Sequence, residues 1–148
     1  MAFAMRINFL DVIQDDSLKN VMIHGKKVGY AFDIRLSYYR GHFLSVIDEL
    51  SVRVDGEEIP EQDIFFCLHG KEFGVAQLHD QVSEFWRIIE PATIKIFKDG
   101  GIAPGEHEID LTLMFHSPYM PISDNAYMPI DSCDKKTLTL ADYEGGQI

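Results

Sequence analysis

The stretch EHEIDLTLMFH, from Glu106 to His116, alternates between two kinds of side chain. A period of two is typical of a β-strand that has one face on a core and the other face in water. The stretch therefore predicts one long strand with one wet face. The inward positions are His107, Ile109, Leu111, Leu113 and Phe115, and the outward positions are Glu106, Glu108, Asp110 and Thr112.

The same period recurs N-terminal to this strand. Between Ala31 and Tyr38, apolar side chains occupy every second position, and the run from Phe43 to Val54 does the same except at Asp48. A β-bulge near Asp48 would keep its carboxylate off the core, because one extra residue shifts the parity of the strand. Asp55-Gly56 predicts a tight reversal after this run, since glycine accepts a positive φ. The apolar positions are Phe32, Ile34, Leu36 and Tyr38 in the first run and Leu44, Val46, Leu50, Val52 and Val54 in the second.

Shorter runs complete an all-β pattern. Helical spacing is limited to one predicted turn near Ala76 to Asp80, because the positions after it also fit a period of two. Strands separated by turns and not by helices predict an antiparallel β-sandwich, jelly-roll-like, with about eight or nine strands. The additional strands are predicted at Val21 to His24, Ile64 to His69, Ser83 to Ile89, Thr93 to Phe97 and Thr137 to Leu140.

Composition narrows the classes of partner. The 148 residues predict a single domain over 1–148. The formal charge is −11, from 13 Lys plus Arg against 24 Asp plus Glu, which argues against nucleic acid and against an anionic membrane. The N-terminus does not resemble a signal peptide, and no apolar run is long enough to span a bilayer. Two distant cysteines, Cys67 and Cys133, favour reduced thiols in the cytoplasm and exclude a cysteine zinc site.

Two segments rich in turn-forming residues lie near the long strand. Asp99 to Gly105 contains three glycines and a proline and predicts a hairpin loop. Ser117 to Ile130 contains Tyr-Met-Pro-Ile twice, and its prolines argue against regular strand pairing. Its apolar side chains need a cover, which is either the chain's own sandwich or another protein. Candidate interface residues are Tyr119, Met120, Pro121, Tyr127, Met128 and Pro129.

Residues that suggest catalysis are sparse. The six histidines form no metal-binding motif, so no metal site is predicted, and no catalytic residue is assigned. Glu106 and Glu108 share a strand face and are the candidate acid and base, although such pairs usually face solvent. Trp86 is a candidate for stacking on a sugar, but a core position is the more common state of a sandwich tryptophan. Cys67 is interpreted as a small buried hydrophobe and His107 as a core-facing or edge histidine.

Four segments occur in a recognisable order along the chain. They are Val52 to Pro60, Phe85-Trp86-Arg87 leading to Glu90 to Ile94, Gly100 to Glu108, and Tyr119-Met120-Pro121. This order resembles the small β subunit of bacterial C-glycoside deglycosidases. The resemblance extends over most of the chain and rests on moderately specific pieces without an active-site signature.

This resemblance implies a β-sandwich that assembles with a larger α subunit of triosephosphate-isomerase-barrel type. The α subunit of that family holds a divalent metal, usually manganese, and the catalytic residues. The implied substrate is a C-glycoside of a flavonoid or related aromatic whose sugar carries a 3-oxo group, and the aglycone leaves by β-elimination. No family catalytic residue and no cofactor is carried onto this chain. The alternative is a stand-alone carbohydrate-binding or protein-interaction module.

Overall fold

Strands dominate the computed structural model, which describes residues 4–6, 11–38, 40–124 and 126–140. Twelve strands lie within these residues, and three of them have only two residues, so nine have four or more. The all-β prediction is confirmed. The strands are β1 (Lys19–Ile23), β2 (Lys26–Ile34), β3 (His42–Phe43), β4 (Ile47–Val54), β5 (Glu57–Glu58), β6 (Ile64–Leu68), β7 (Lys71–Gly74), β8 (Phe85–Trp86), β9 (Ala92–Phe97), β10 (Gly105–Ser123), β11 (Ala126–Asp131) and β12 (Asp134–Leu140).

Two antiparallel sheets enclose the core. The first has the strand order β1-β2-β9-β6-β7, and the second has the order β11-β10-β4-β5 with β12 also paired to β10. Phe32 and Ile94 of the first sheet and Val52 and Leu111 of the second belong to one buried cluster. Side chains of both sheets thus share a core, which is the arrangement of a β-sandwich. The small pair β3-β8 lies outside the two sheets.

The long strand β10 organises the second sheet. It pairs with β12 over Gly105 to Leu111, with β4 over Ile109 to Phe115, and with β11 from Met114 to Ser123. The predicted alternation is confirmed, because Ile109, Leu111, Leu113 and Phe115 are buried and the residues between them are not. The predicted strands β1, β6, β9 and β12 are confirmed as well.

The run from Phe43 to Val54 is not one strand. A 3-10 turn at Leu44–Val46 separates β3 from β4, and this turn buries Leu44 and Val46 without ladder bonds. The bulge at Asp48 is confirmed: Ile47 is opposite Phe115 and Glu49 is opposite Met114, so Asp48 is the extra residue. Its side chain is exposed.

The segment predicted as a strand from Ser83 to Ile89 contains only the two residues of β8. The expected helical turn near Ala76 is present as a 3-10 segment, Val75–Asp80, which buries Leu78. Asp55 and Gly56 both have positive φ, 52° and 83°, and join β4 to β5, so the predicted reversal is confirmed.

The prediction of a hairpin loop at Asp99 to Gly105 is wrong. The strand before it, β9, pairs with β2 and β6, whereas β10 belongs to the other sheet, so the segment crosses between the sheets. The Asn20 side chain fixes this crossover by accepting a hydrogen bond from the Ile102 N–H and donating one to the Ile102 carbonyl, at 3.0 and 3.2 Å. Gly101 fits beneath Asn20 because a Cβ atom would lie 2.3 Å from Asn20 Oδ1.

The prediction that prolines keep Ser117 to Ile130 out of a ladder is also wrong. The segment is a hairpin of β10 and β11, and we call it the YMP hairpin. The register shifts between Ser117 and Pro121 and again between Pro121 and Ser123, so Pro118 lies in a gap of the ladder. Pro121 and Pro129 keep register partners, which are Tyr127 and His116.

Candidate functional site

The YMP hairpin (Ser117 to Ile130) exposes apolar side chains on one part of an acidic protein. Tyr119 and Tyr127 are each 45% exposed and Ile122 is 46% exposed. Met120 and Met128, in contrast, are partly buried and pack against the core cluster. The chain's own sandwich therefore covers the methionines, whereas the tyrosines and the isoleucine remain exposed in this chain.

Of the remaining interface candidates, Pro121 is exposed and Pro129 is half-buried. The backbone of Pro129 is tied to the N-terminal region, because its carbonyl accepts a hydrogen bond of 2.9 Å from the Met5 N–H. The interface residues predicted from the sequence thus all lie on one hairpin, but some of them are exposed and others are half-buried.

An aromatic cluster holds the base of the hairpin. The His42 ring makes edge contacts with Tyr38, Phe115 and Tyr119, with centroid distances of 5.0, 4.9 and 5.6 Å. The Tyr38 hydroxyl donates a hydrogen bond of 3.1 Å to Ser117 Oγ. These contacts hold the residues of β10 at the base of the hairpin against His42 of β3 and against Tyr38, which precedes β3.

His42 is a buried polar group of this cluster, with 2% of its surface exposed. Its Nδ1 donates to the Gly41 carbonyl, and its Nε2 has no hydrogen-bond partner among the described residues. Burial lowers the pKa of His42 and outweighs the opposing hydrogen bond to Gly41. The ring is therefore neutral at pH 7, with Nε2 as an unused acceptor.

Both exposed tyrosines of the hairpin rest on a cationic or imidazole group. The Arg40 guanidinium lies 4.2 Å from the centroid of the Tyr119 ring, which is a cation–π distance. Tyr127 stacks on His116 at a centroid distance of 6.1 Å. His116 is held in turn by the bulged Asp48, whose carboxylate oxygens lie 3.0 Å from Nδ1. The tyrosine rings are thus oriented before any partner arrives.

Glu106 and Glu108, the candidate acid and base, lie on the exposed face of β10. Glu108 faces Lys135 of the adjacent strand at 3.8 Å, which is a solvent-screened ion pair. The structure places the two carboxylates side by side on a wet sheet face, which is the common non-catalytic arrangement.

His107 lies at the edge of the core, as expected. Its Nδ1 is 2.7 Å from Asp55 Oδ2 and its Nε2 is 2.7 Å from the Ala103 carbonyl oxygen. Both partners accept hydrogen bonds, so both ring nitrogens donate and the ring is an imidazolium. Burial alone lowers the pKa of His107, but the hydrogen bonds to Asp55 and Ala103 outweigh it and raise the pKa. A ring held in this way cannot accept a proton from a substrate.

Trp86 is a core residue. It is 1% exposed, its Nε1 donates a hydrogen bond of 2.8 Å to the Glu90 carbonyl, and its ring makes an edge contact with Phe66 at 5.2 Å. No face of the indole is open to a sugar, so the core position is confirmed and stacking on a ligand is not possible in this conformation.

The cysteines are free thiols of low reactivity. The sequence predicts a small buried hydrophobe at Cys67, but both Cys67 and Cys133 are only half-buried. Burial raises the pKa of Cys67, and it raises that of Cys133 to about 11. Both are therefore thiols at neutral pH, and thiols are weak nucleophiles.

One ionic cluster was not predicted from the sequence. His69 donates from Nδ1 to Glu84 and from Nε2 to Glu90, at 2.7 and 2.6 Å, and Lys71 contacts Glu84 at 3.0 Å. The hydrogen bond to Glu84 is the main cause of the raised pKa of His69. The partners lie 15 or more positions away along the chain, so no local motif indicates the cluster. Since both ring nitrogens are engaged, it is a structural link and not a general base.

No group of three or more His, Cys, Asp or Glu side chains among the described residues is arranged to hold a metal ion. Within the same residues, no helix has the length and apolar character needed to cross a membrane.

Comparison with known protein families shows which family this chain belongs to. Residues 10–119 match the family described as C-glycoside deglycosidase beta subunit. The chain belongs to this family. The matched segment contains the whole first sheet and the second sheet without β11, β12 and the end of β10. It ends at Tyr119, so most of the YMP hairpin follows it.

Three curated relatives are described as beta subunits of deglycosidases. A C-glycoside deglycosidase beta subunit of Eubacterium cellulosolvens is 33% identical over 111 residues, which are 74% of this chain and 76% of the relative. A 3'-dehydrocarminate deglycosidase beta subunit of Microbacterium sp is 33% identical over 97 residues, 64% of this chain and 71% of the relative. A C-glycoside deglycosidase beta subunit of Microbacterium trichothecenolyticum is 30% identical over 108 residues, 73% and 82% of the two chains.

Proposed function

We propose that this chain is the small, non-catalytic beta subunit of a heteromeric C-glycoside deglycosidase. The family match over residues 10–119 carries the proposal. The placement of the titratable groups supports the non-catalytic part. His69 and His107 use both ring nitrogens in hydrogen bonds to acceptors, and Glu106 and Glu108 face solvent.

The partner in this proposal is a larger α subunit of triosephosphate-isomerase-barrel type, which brings the catalytic groups and a divalent metal, manganese. The metal would supply stabilisation of negative charge during the reaction. The substrate is a 3-oxo-C-glucoside of a flavonoid or related aglycone. The name of one relative, 3'-dehydrocarminate deglycosidase beta subunit, supports an oxidised sugar as the substrate.

The proposed reaction breaks the C–C glycosidic bond by β-elimination, so the complex is a lyase. The 3-oxo group acidifies the adjacent C–H bond, and a base on the partner removes that proton. The electron pair forms a C=C bond as the bond between the anomeric carbon and the aglycone breaks, and the aglycone carbon takes up a proton. The present chain contributes no group to this step.

The YMP hairpin is the proposed contact with the α subunit. Tyrosine and methionine are enriched at the buried centres of interfaces, whereas charged residues are depleted there. Asp124 is the one charged residue between Ser117 and Ile130, although the whole chain carries a formal charge of −11. Burial of this surface therefore costs less desolvation than burial of an acidic face.

Preorganisation supports the same contact. Tyr119 is held by Arg40 and His42, and Tyr127 is held by His116. A side chain that is already ordered loses less entropy on binding than a free one. A cytoplasmic location completes the proposal, because free cysteines such as Cys67 and Cys133 persist in reducing compartments.

The test is reconstitution with an α subunit of a C-glycoside deglycosidase. Each protein is purified alone and after co-expression, and cleavage of a 3-oxo-C-glucoside is followed by release of the aglycone. We expect the two proteins to elute together from a sizing column and the complex to be active, with no turnover by this chain alone. Cleavage by this chain alone, or failure of the two proteins to associate, contradicts the proposal.

A further inference from the structure

A cavity lies near the start of β10, at the opposite end of this strand from the YMP hairpin. It is a cavity of about 280 Å³ between the crossover of residues 99–105, the β4–β5 turn and the first residues of β10, and we call it the end cavity. His107, near the start of β10, lines it, and Tyr119 lies twelve positions farther along the same strand. At about 3.3 Å per residue the two sites are roughly 40 Å apart along the strand.

Tyr30 of β2 lines the end cavity and is 1% exposed. Its ring belongs to the core cluster, and its hydroxyl has no hydrogen-bond partner among the described residues. This hydroxyl is not among the fully buried polar atoms that lack a partner, so it opens on the cavity, where a ligand can reach it. Burial, together with the charges of Asp55 and Glu57, raises the pKa of Tyr30 to about 12, so the hydroxyl is protonated and able to donate.

The charges around the cavity balance. His107 and Asp55 neutralise each other through their 2.7 Å contact. Lys98 and Glu57 also line the cavity, have opposite charges, and form no salt bridge with any described residue. A ligand with a net charge would therefore meet one attractive and one repulsive group. A neutral ligand that both donates and accepts hydrogen bonds would satisfy Lys98, Glu57 and Tyr30 together.

Apolar side chains form the remaining wall, from Val54, Ile59 and Ile102. The wall is rigid on the crossover side because Asn20 holds both backbone groups of Ile102. The volume of about 280 Å³ lies just below the roughly 300–1,000 Å³ of ligand sites. The cavity therefore suits a compact ligand and not one with the bulk of an aromatic glycoside.

From these features we propose that the end cavity binds a small neutral polyhydroxy compound of monosaccharide size. The Tyr30 hydroxyl donates to one ligand hydroxyl, Lys98 donates to a second, and Glu57 accepts from a third, while the C–H face of the ring packs on Ile59 and Ile102. This site belongs to the present chain alone and requires no second subunit.

Titration of the full chain with D-glucose, followed by amide NMR, tests this site. We expect binding in the millimolar range, with shifts at Gly101, Ile102, Ala103 and His107 and none at Met120 or Tyr127. Tyr30→Phe removes one hydroxyl and is expected to weaken binding about fivefold, the equivalent of one hydrogen bond. Tyr127→Phe is the matched control and should bind as the unchanged protein does.

Acetate and methylammonium are the charged probes. Larger shifts of the cavity amides with either ion than with glucose would overturn the assignment to a neutral ligand. Absence of any shift at about 100 mM glucose, or an undiminished affinity in Tyr30→Phe, would overturn the site itself. If Tyr30→Phe does not fold, Lys98→Met, an exposed change, replaces it with the same expectation. Because the experiment needs no partner, its result is independent of the reconstitution experiment.

Discussion

The two halves of β10 are one continuous strand in two different environments. From Ile109 to Phe115 the strand has β4 on one edge and β11 or β12 on the other, and its apolar side chains are buried in the sandwich. From His116 to Ser123 it pairs with β11 alone, in an interrupted register. Ser117 is the last buried residue of β10. Tyr119 and Pro121 occupy the same alternate positions of the strand as the buried residues before them, yet both are exposed.

This difference shows that parity predicts which face a side chain occupies but not whether that face is covered. Leu113 and Tyr119 have the same parity on the same strand, yet Leu113 is fully buried and Tyr119 is 45% exposed. The first sheet shares the core with Leu113, whereas Tyr119 contacts His42 on the ring edge and Arg40 on the ring face. The first half of β10 therefore serves stability, and the second half is available for recognition.

The largest expected effect is a difference in unfolding free energy between the two halves. Leu113→Ala should reduce it by about 2–5 kcal/mol, because it leaves a cavity in a closely packed core. Ile122→Ala in the hairpin should change it by less than about 0.5 kcal/mol, since the side chain is largely exposed. Urea unfolding followed by circular dichroism measures both. Equal losses in the two variants would show that the hairpin is part of the cooperative core.

The next effect concerns assembly with the α subunit. Tyr119→Ala or Tyr127→Ala should weaken heteromer formation by about 2 kcal/mol, or roughly thirtyfold in Kd, because large aromatic side chains dominate interface energies. The melting temperature of the isolated sandwich should fall much less. Titration calorimetry with the partner and thermal unfolding of each variant measure the two quantities.

The matched control for the tyrosines is Ile23→Ala. Ile23 is 52% exposed on β1, at the edge of the other sheet. Its loss should leave assembly unchanged. Unchanged assembly in both tyrosine variants, together with a lowered melting temperature, would remove the hairpin as the contact surface.

The smallest effect is a pH dependence of opposite sign at the two ends of β10. The raised pKa of His107 means that its contribution to stability is complete below pH 6.5 and is lost as the pH rises through the folded-state value. The lowered pKa of His42 means that its contribution is complete above pH 6.5 and is lost as the pH falls toward the folded-state value.

Acidification from pH 8 to pH 6 should therefore strengthen the His107 end and weaken the base of the YMP hairpin, each by less than about 1 kcal/mol. Amide hydrogen exchange, corrected for intrinsic rates, should show this as slower exchange near Glu108 and faster exchange near Ser117. In Asp55→Asn, the pKa of His107 measured by NMR should fall, because its anionic hydrogen-bond partner is gone. Parallel pH responses at the two ends would contradict the assignment of the two protonation states.

Much of the fold was predictable because its signals are local. Alternation of apolar residues indicated β10 and β2, one acidic residue out of phase indicated the bulge at Asp48, and Asp55-Gly56 indicated a reversal. The hairpin was missed because prolines argue against pairing, and nothing local shows that register shifts can accommodate them. The segment from Asp99 to Gly105 was misinterpreted because its turn residues are the same whether the next strand joins the same sheet or the opposite one.

Some residues of the candidate sites were also predictable from local sequence, whereas others depend on contacts with distant segments. Tyr119 and Tyr127 were found from sequence, since a repeated apolar motif in an acidic chain needs a cover. His107 was recognised as an edge residue, but its imidazolium state depends on Asp55, which lies 52 positions away. The unpartnered hydroxyl of Tyr30 had no sequence signal at all, because a tyrosine on the inward face of a strand is indistinguishable from any other core residue.

The sequence by itself determined the fold class, the inward face of each long strand, the acidic surface and the resemblance to deglycosidase beta subunits. These properties depend on neighbours along the chain or on sums over it. Only the tertiary structure decided that Leu113 is covered and Tyr119 is not, that Trp86 is enclosed, and that Tyr30 opens on a cavity. Each of these depends on which distant segment lies opposite, and that is set by sheet pairing and packing across the whole molecule.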